Sequence, residues 1–177
     1  MRPAMRVPAA GGAAPGPAPW HSSAAVRAWL AVTACAVAIL VFSGDEFSAA
    51  NTSRILGPLL RWLFPDLAPA TMAAVHFAVR KAAHLTEYGL LGLLAFRALR
   101  LSLAIPSSRA ALLGLGIVLL VSGTDEMRQS TIASRTGTLR DVGIDLAGGA
   151  LGVLVLVLLH RAAGIGPPPA PARERRG

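Results

Sequence analysis

Four long apolar stretches punctuate the chain, at roughly 24–42, 75–99, 109–123 and 139–160. Between and beyond them the sequence turns polar or rich in Pro and Gly. A helix rises ~1.5 Å per residue, so about 20 residues cross the ~30 Å hydrocarbon layer of a bilayer. The first and fourth stretches have that length. The second reaches it only if Lys81 and His84 belong to the helix, and the third only if it continues through Asp125, Glu126 and Gln129. Polar side chains of both middle stretches are therefore expected on helical backbone near one membrane surface. Leu59-Leu60-Arg61-Trp62-Leu63-Phe64, just before Pro65, reads as a short helix lying on the outer leaflet.

Composition sharpens this reading. Of the 177 residues 54% are hydrophobic and only 15% charged, with a mean hydropathy of +0.57. A soluble domain carries about 25% charged residues, so this chain has too few to coat a globule. The apolar mass is Ala, Leu and Val, which suits helices in lipid. The expected fold is an all-α integral membrane bundle of four transmembrane helices over 24–162, flanked by disordered tails at 1–23 and 163–177. The single cysteine, Cys35, excludes an intramolecular disulfide and a multi-cysteine zinc site. Residues 36–42 stay apolar after Val32-Thr33-Ala34-Cys35, where a cleaved lipoprotein would turn polar, so the first stretch reads as an uncleaved anchor.

The net charge of +8 suggests nucleic acid in a soluble protein. Here the arginines lie between apolar runs and report orientation, so no nucleic-acid partner is expected. Ten positive residues, among them Arg27, Arg97, Arg100, Arg109 and Arg161, fall on the side of the two tails, against seven on the other. The positive-inside rule then puts both termini in the cytoplasm. Eight of the nine acids, all but Glu174, fall on the opposite, outer side.

That outer side carries the informative chemistry. Lys81, His84 and Tyr88 stand at i, i+3 and i+7 and share a helical face, with Glu87 beside it. Asp125 and Gln129 stack four apart, next to Glu126. Asp141 and Asp145 also stack four apart, ahead of Gly148, Gly149 and Gly152, which permit close approach of another helix or of a second copy. Arg135 and Arg140 lie in the segment feeding that helix. A charged side chain at the centre of a membrane helix costs ~2.5–3.5 kcal/mol, less near the surface. Several together persist only if they pair or face water, and one outward-opening pocket lined by three helices accommodates all of them.

Three uses of such a cluster compete. The charges can staple the helices. They can bind a polar headgroup or anionic ligand, with His84 and Asp125 or Glu126 moving protons as candidate catalytic groups. Lys81, Glu87, Tyr88, Gln129, Arg135, Asp141 and Asp145 would then contact the ligand: Lys81 and Arg135 hold anions, Tyr88 and Gln129 donate hydrogen bonds, and Asp141 orients a cation. A metal site from His84, Glu87, Glu126 and Asp141 is the weakest of the three, since one histidine among acids is a poor signal. No metal and no cofactor is expected.

Lys81-Ala82-Ala83-His84-Leu85-Thr86-Glu87-Tyr88-Gly89-Leu90-Leu91 resembles the K-x-x-H-x-x-x-Y-x-x-L motif of VanZ-like membrane proteins. Asp125-Glu126-Met127-Arg128-Gln129, then Arg135, then Asp141, resembles that family's D-E-x-x-Q…R…D motif. The spacing to Asp145-Leu146-Ala147-Gly148-Gly149 agrees too, although many members carry Asn where this chain has Asp145. The resemblance covers about 76–155. It implies a small multi-spanning protein of the bacterial cell membrane, an association with low-level teicoplanin resistance, and no particular reaction. Its expected surroundings are the lipid bilayer and, at an outward pocket, an envelope lipid or wall precursor.

Overall fold

The computed structural model describes residues 22–44, 49–131 and 138–164, and these are helical with short connections. Five helices follow in order: α1 Ser23–Phe42, α2 Ala49–Leu63, α3 Pro69–Ser102, α4 Ser107–Gln129 and α5 Leu139–Ala162. The expected tails and Arg135 fall outside the described residues, apart from the tail margins next to α1 and α5.

Local chemistry explains the helix ends. Ser22 Oγ accepts from the Ala25 N–H at 3.2 Å and starts α1. Pro69 opens α3 at a position where its missing N–H costs nothing. Thr138 caps α5 by accepting from the Asp141 N–H. Asp141 in the first turn of α5, with His160 and Arg161 in the last, opposes the helix dipole. Helix α4 does continue through Asp125, Glu126 and Gln129, and α3 includes Lys81 and His84. The helix expected at 59–64 is longer, because α2 starts at Ala49 and holds Pro58 within it.

Three helices, α1, α4 and α5, are long and apolar enough to cross a membrane. Helix α3 is the longest at 34 residues, about 50 Å. Arg80, Lys81, His84, Glu87 and Arg97 lower its hydropathy along that length. Leu112 and Leu120 on α4 are 70% and 72% exposed, and large apolar side chains of α1 and α5 also point outward. A helix apolar all round belongs in lipid or a deep core, and these outward leucines have no protein cover.

Contacts fix the topology. Trp29 Nε1–H at the start of α1 donates to Ser102 Oγ at the end of α3, at 2.9 Å. At the other end, Ser43, just past α1, and Asp125 on α4 are hydrogen-bonded. Consecutive long helices thus alternate in direction, and α3 and α5 run parallel. The interior is small and tight: Tyr88, Leu91, Ala95 and Ala98 of α3 pack with Ala28, Val32 and Ile39 of α1 and Val118 of α4. Phe96, Leu99, Ala110 and Val153 make a second cluster nearer the far end.

The closest seam is α3 against α5. A Cβ on Gly92 would sit 2.5 Å from the Gly149 carbonyl oxygen, and one on Gly148 would sit 2.6 Å from that of Leu85. Gly152 meets the Gly89 backbone more closely still. No side chain fits at these crossings, and lipid offers no hydrophobic drive to compensate a lost contact. The glycines of α5, open in sequence to a partner inside or outside the chain, are occupied inside it. Gly92→Leu and Gly152→Leu should each destabilise the fold by more than the ~1–3 kcal/mol typical of overpacking, since backbone must move. Gly116→Leu, with nothing within 4 Å of its Cβ position, should be near neutral. Thermal unfolding of the detergent-solubilised chain measures the difference.

Candidate functional site

The polar ends of α3, α4 and α5 meet at one end of the bundle. The α3–α5 seam sets their register, so each α3 side chain faces a residue about sixty positions on. At the rim, Lys81 Nζ forms an ion pair with Asp141, and both are partly exposed. Lys81 also lies over the Phe77 ring, 5.5 Å from its centroid. One turn deeper, His84 Nδ1 stands 3.2 Å from Asp145 Oδ1. The other carboxylate oxygen of Asp145 accepts from Ser122 Oγ of α4 at 2.6 Å. Asp145 is 1% exposed, and these two contacts offset part of its desolvation. Below it, Tyr88 stacks on His84 with ring centroids 6.2 Å apart.

This pairing has a chemical consequence. A carboxylate accepts only, so His84 Nδ1 must donate to it. In the neutral ring Nε2 is then the proton acceptor, held in one orientation by Asp145. That is the arrangement of an imidazole general base positioned by an acid. The sequence reading set Asp125 or Glu126 beside His84; the carboxylate that meets it is Asp145.

Asp125 and Glu126 serve different neighbours. Asp125 is fully buried and gathers a second cluster, on α1 and α4. It accepts from Ser43 Oγ, from Gln129 Nε2 at 2.7 Å and from Arg128 Nη2 at 3.3 Å. Arg128 reaches further, to Ser43 Oγ at 2.6 Å and to the Leu40 carbonyl at the open end of α1. Gln129, expected to donate to a ligand, spends that donor on Asp125. Glu126 Oε2 accepts the Thr138 N–H at 2.7 Å and so ties α4 to the cap of α5. Its Oε1 is buried and has no hydrogen-bond partner among the described residues. Glu87 is half-buried on α3, three residues after His84. Arg140 is exposed at the start of α5, and Arg135 is outside the described residues.

The residues are therefore brought to one end but not into a single knot. One line, Lys81–Asp141 and His84–Asp145–Ser122, belongs to the α3–α5 seam. Another, Ser43–Asp125–Arg128–Gln129, fastens α1 to α4. Tyr88, Glu87 and Glu126 lie between. Among the described residues no three His, Cys, Asp or Glu side chains group as metal ligands, and Asp141 and Glu126 are engaged with Lys81 and the Thr138 N–H. Sequence reasoning passed over Ser122, Ser43, Arg128 and Thr138. Ser122 had a signal, since 122, 125, 126 and 129 follow the i, i+3, i+4, i+7 rule for one face.

The profile of the VanZ/LLP1 family matches residues 28–160, a span holding both clusters and the α3–α5 seam. The chain belongs to the VanZ/LLP1 family. No curated protein and no solved structure matches it. Within this VanZ-family chain the residues matching the family motifs, Lys81, His84, Tyr88, Asp125, Glu126, Gln129 and Asp141, are those that meet at one end of the bundle.

Asp145 offers a sharp test of how the site is held. An amide there can accept from Ser122 and donate to His84 Nδ1 in the other tautomer, so Asp145→Asn should cost about 1 kcal/mol or less. Asp145→Ala, which strands both partners, should cost about 2–3 kcal/mol. Chemical or thermal unfolding in detergent distinguishes the two.

Proposed function

We propose that this VanZ-family protein crosses the bacterial cell membrane four times, through α1, α3, α4 and α5, with both termini in the cytoplasm. The cluster at the outer ends of α3, α4 and α5 then binds, and acts on, a component of the cell envelope, a role compatible with the family's association with teicoplanin resistance. The observation carrying this reading is the His84–Asp145–Ser122 line. It holds an imidazole with a free proton-accepting nitrogen, and Glu126, at the same end of the bundle, keeps a buried carboxylate oxygen, Oε1, without a hydrogen-bond partner among the described residues. A structural staple requires neither. Lys81 at the rim supplies the cation that meets an anionic group, and Asp141 orients it. His84 is the proton-accepting catalytic group, and Glu126 is its candidate acid.

A second reading rests on a specific observation as well. Lys81–Asp141 and His84–Asp145 lie directly along the glycine seam, where ion pairs fix the register of two helices. On that reading the protein is a non-enzymatic structural or partner-binding component.

Two experiments apply. In a Cys35→Ser background, Asp66→Cys should react with an impermeant thiol reagent on intact cells and Ala104→Cys should not. The reverse pattern removes the outward site. For function, Glu126→Gln and His84→Ala should keep their abundance in the membrane yet lose the teicoplanin tolerance conferred by the parent chain. If both variants vanish from the membrane, or if the Lys81→Asp, Asp141→Lys swap restores full tolerance, the staple reading stands and the site reading falls.

A further inference from the structure

A cavity of about 310 Å³ lies away from the polar cluster, where the end of α2 turns into the start of α3. Its walls include Arg61, Leu67, Pro69, Met72 and His76. We propose that this cavity is a separate binding site for the anionic phosphate headgroup of a membrane amphiphile.

The walls divide by chemistry. Arg61, in the last turn of α2, brings a guanidinium, whose planar fork of donors matches phosphate oxygens. His76 brings a second nitrogen group, and its Nε2 is buried without a hydrogen-bond partner among the described residues. A buried polar atom left so is costly unless something satisfies it. At Pro69 begins the 34-residue α3, whose N-cap, Ala68, makes no side-chain hydrogen bond to the first turn. The next N–H groups, of Ala70 and Thr71, have no acceptor within the helix, and they carry the positive end of its dipole. Cation and helix end favour the same charge, and His76 Nε2 donates to it in the tautomer that carries its proton there. Among the described residues no carboxylate lines the cavity, and Asp66, between the lining residues Pro65 and Leu67, makes no ion pair with Arg61.

The remaining walls are apolar: Leu67, Met72 and neighbouring Pro and Ala. This suits the glycerol and first methylenes behind a headgroup. Just outside, Trp62, Leu63 and Phe64 are 77%, 51% and 56% exposed. An amphipathic helix ending in exposed aromatic residues next to a basic pocket is how an interfacial helix sits among headgroups. The volume falls at the small end of ligand pockets, enough for a phosphate headgroup but not for two acyl chains, which would remain in the bilayer.

The test uses the full chain in a neutral detergent and counts lipid adducts by native mass spectrometry. The probes are dihexanoyl phosphatidic acid, dihexanoyl phosphatidylcholine and inorganic phosphate. Phosphatidic acid should bind about tenfold tighter than phosphatidylcholine, and Arg61→Gln should remove about that tenfold. Met72→Trp, which fills the cavity, should abolish the adduct. Arg54→Gln, an exposed charge on the same helix but off the cavity wall, should leave it unchanged. Displacement by inorganic phosphate at the lipid's own concentration would identify the free ion as the ligand; resistance to it would identify the amphiphile. Equal binding of the two lipids, or equal weakening by Arg54→Gln and Arg61→Gln, overturns the proposal. Since this site shares no residue with the His84 cluster, its failure leaves that reading untouched.

Discussion

The backbone contact between α3 and α5 governs the rest of the molecule. Where two helices touch through glycine, they cannot slide or rotate without collision, so their register is set to within a fraction of a turn. Every polar pair at the end of the bundle where α3, α4 and α5 meet inherits that register. Lys81 meets Asp141, and His84 meets Asp145, because Gly89 and Gly92 meet Gly148, Gly149 and Gly152 one or two turns further along. Packing of this kind does not draw on the hydrophobic effect, which is weak between helices already in lipid; it rests on dispersion and close fit. The polar pairs contribute orientation beyond it, since in a low-dielectric setting each partner constrains the other's direction strongly.

A second consequence is a division of labour among carboxylates that sit close together. Asp125 and Glu126 are consecutive on α4 and Asp145 lies on α5, yet each answers to a different helix: Asp125 to the end of α1, Glu126 to the cap of α5, Asp145 to the histidine of α3. Three buried acids sharing one partner would repel. Spreading them over Arg128, a backbone N–H and an imidazole lets them persist side by side.

Much of this was legible in the sequence. Apolar run lengths gave the four long helices, and the length shortfall of the middle runs correctly carried the helices through Lys81, His84 and Asp125–Gln129. Helical periodicity put Lys81, His84 and Tyr88 on one face, where His84 and Tyr88 stack and Lys81 meets Asp141. What periodicity could not supply is phase between helices. Whether His84 met Asp125, Glu126 or Asp145 depended on the rotation of α3 against α4 and α5, and the glycine seam decides it. The roles of Ser43 and Arg128 were hidden for a related reason: both act across the α1–α4 contact, and α1 carries no motif that would have marked it. The apolar run at 59–64 marked only the end of α2, which starts at Ala49, because the residues before it, Ala49 to Pro58, form no long apolar run.

Helix α3 runs unbroken from Pro69 to Ser102. His76 and His84, which belong to different cavities and clusters, are carried on this one stiff rod, about 12 Å apart along its axis. A rod does not bend to absorb a push at one end. The α2–α3 corner and the face where the imidazole of His84 meets Asp145 are thus joined by about two turns of continuous helix, so the position of one is set by that of the other.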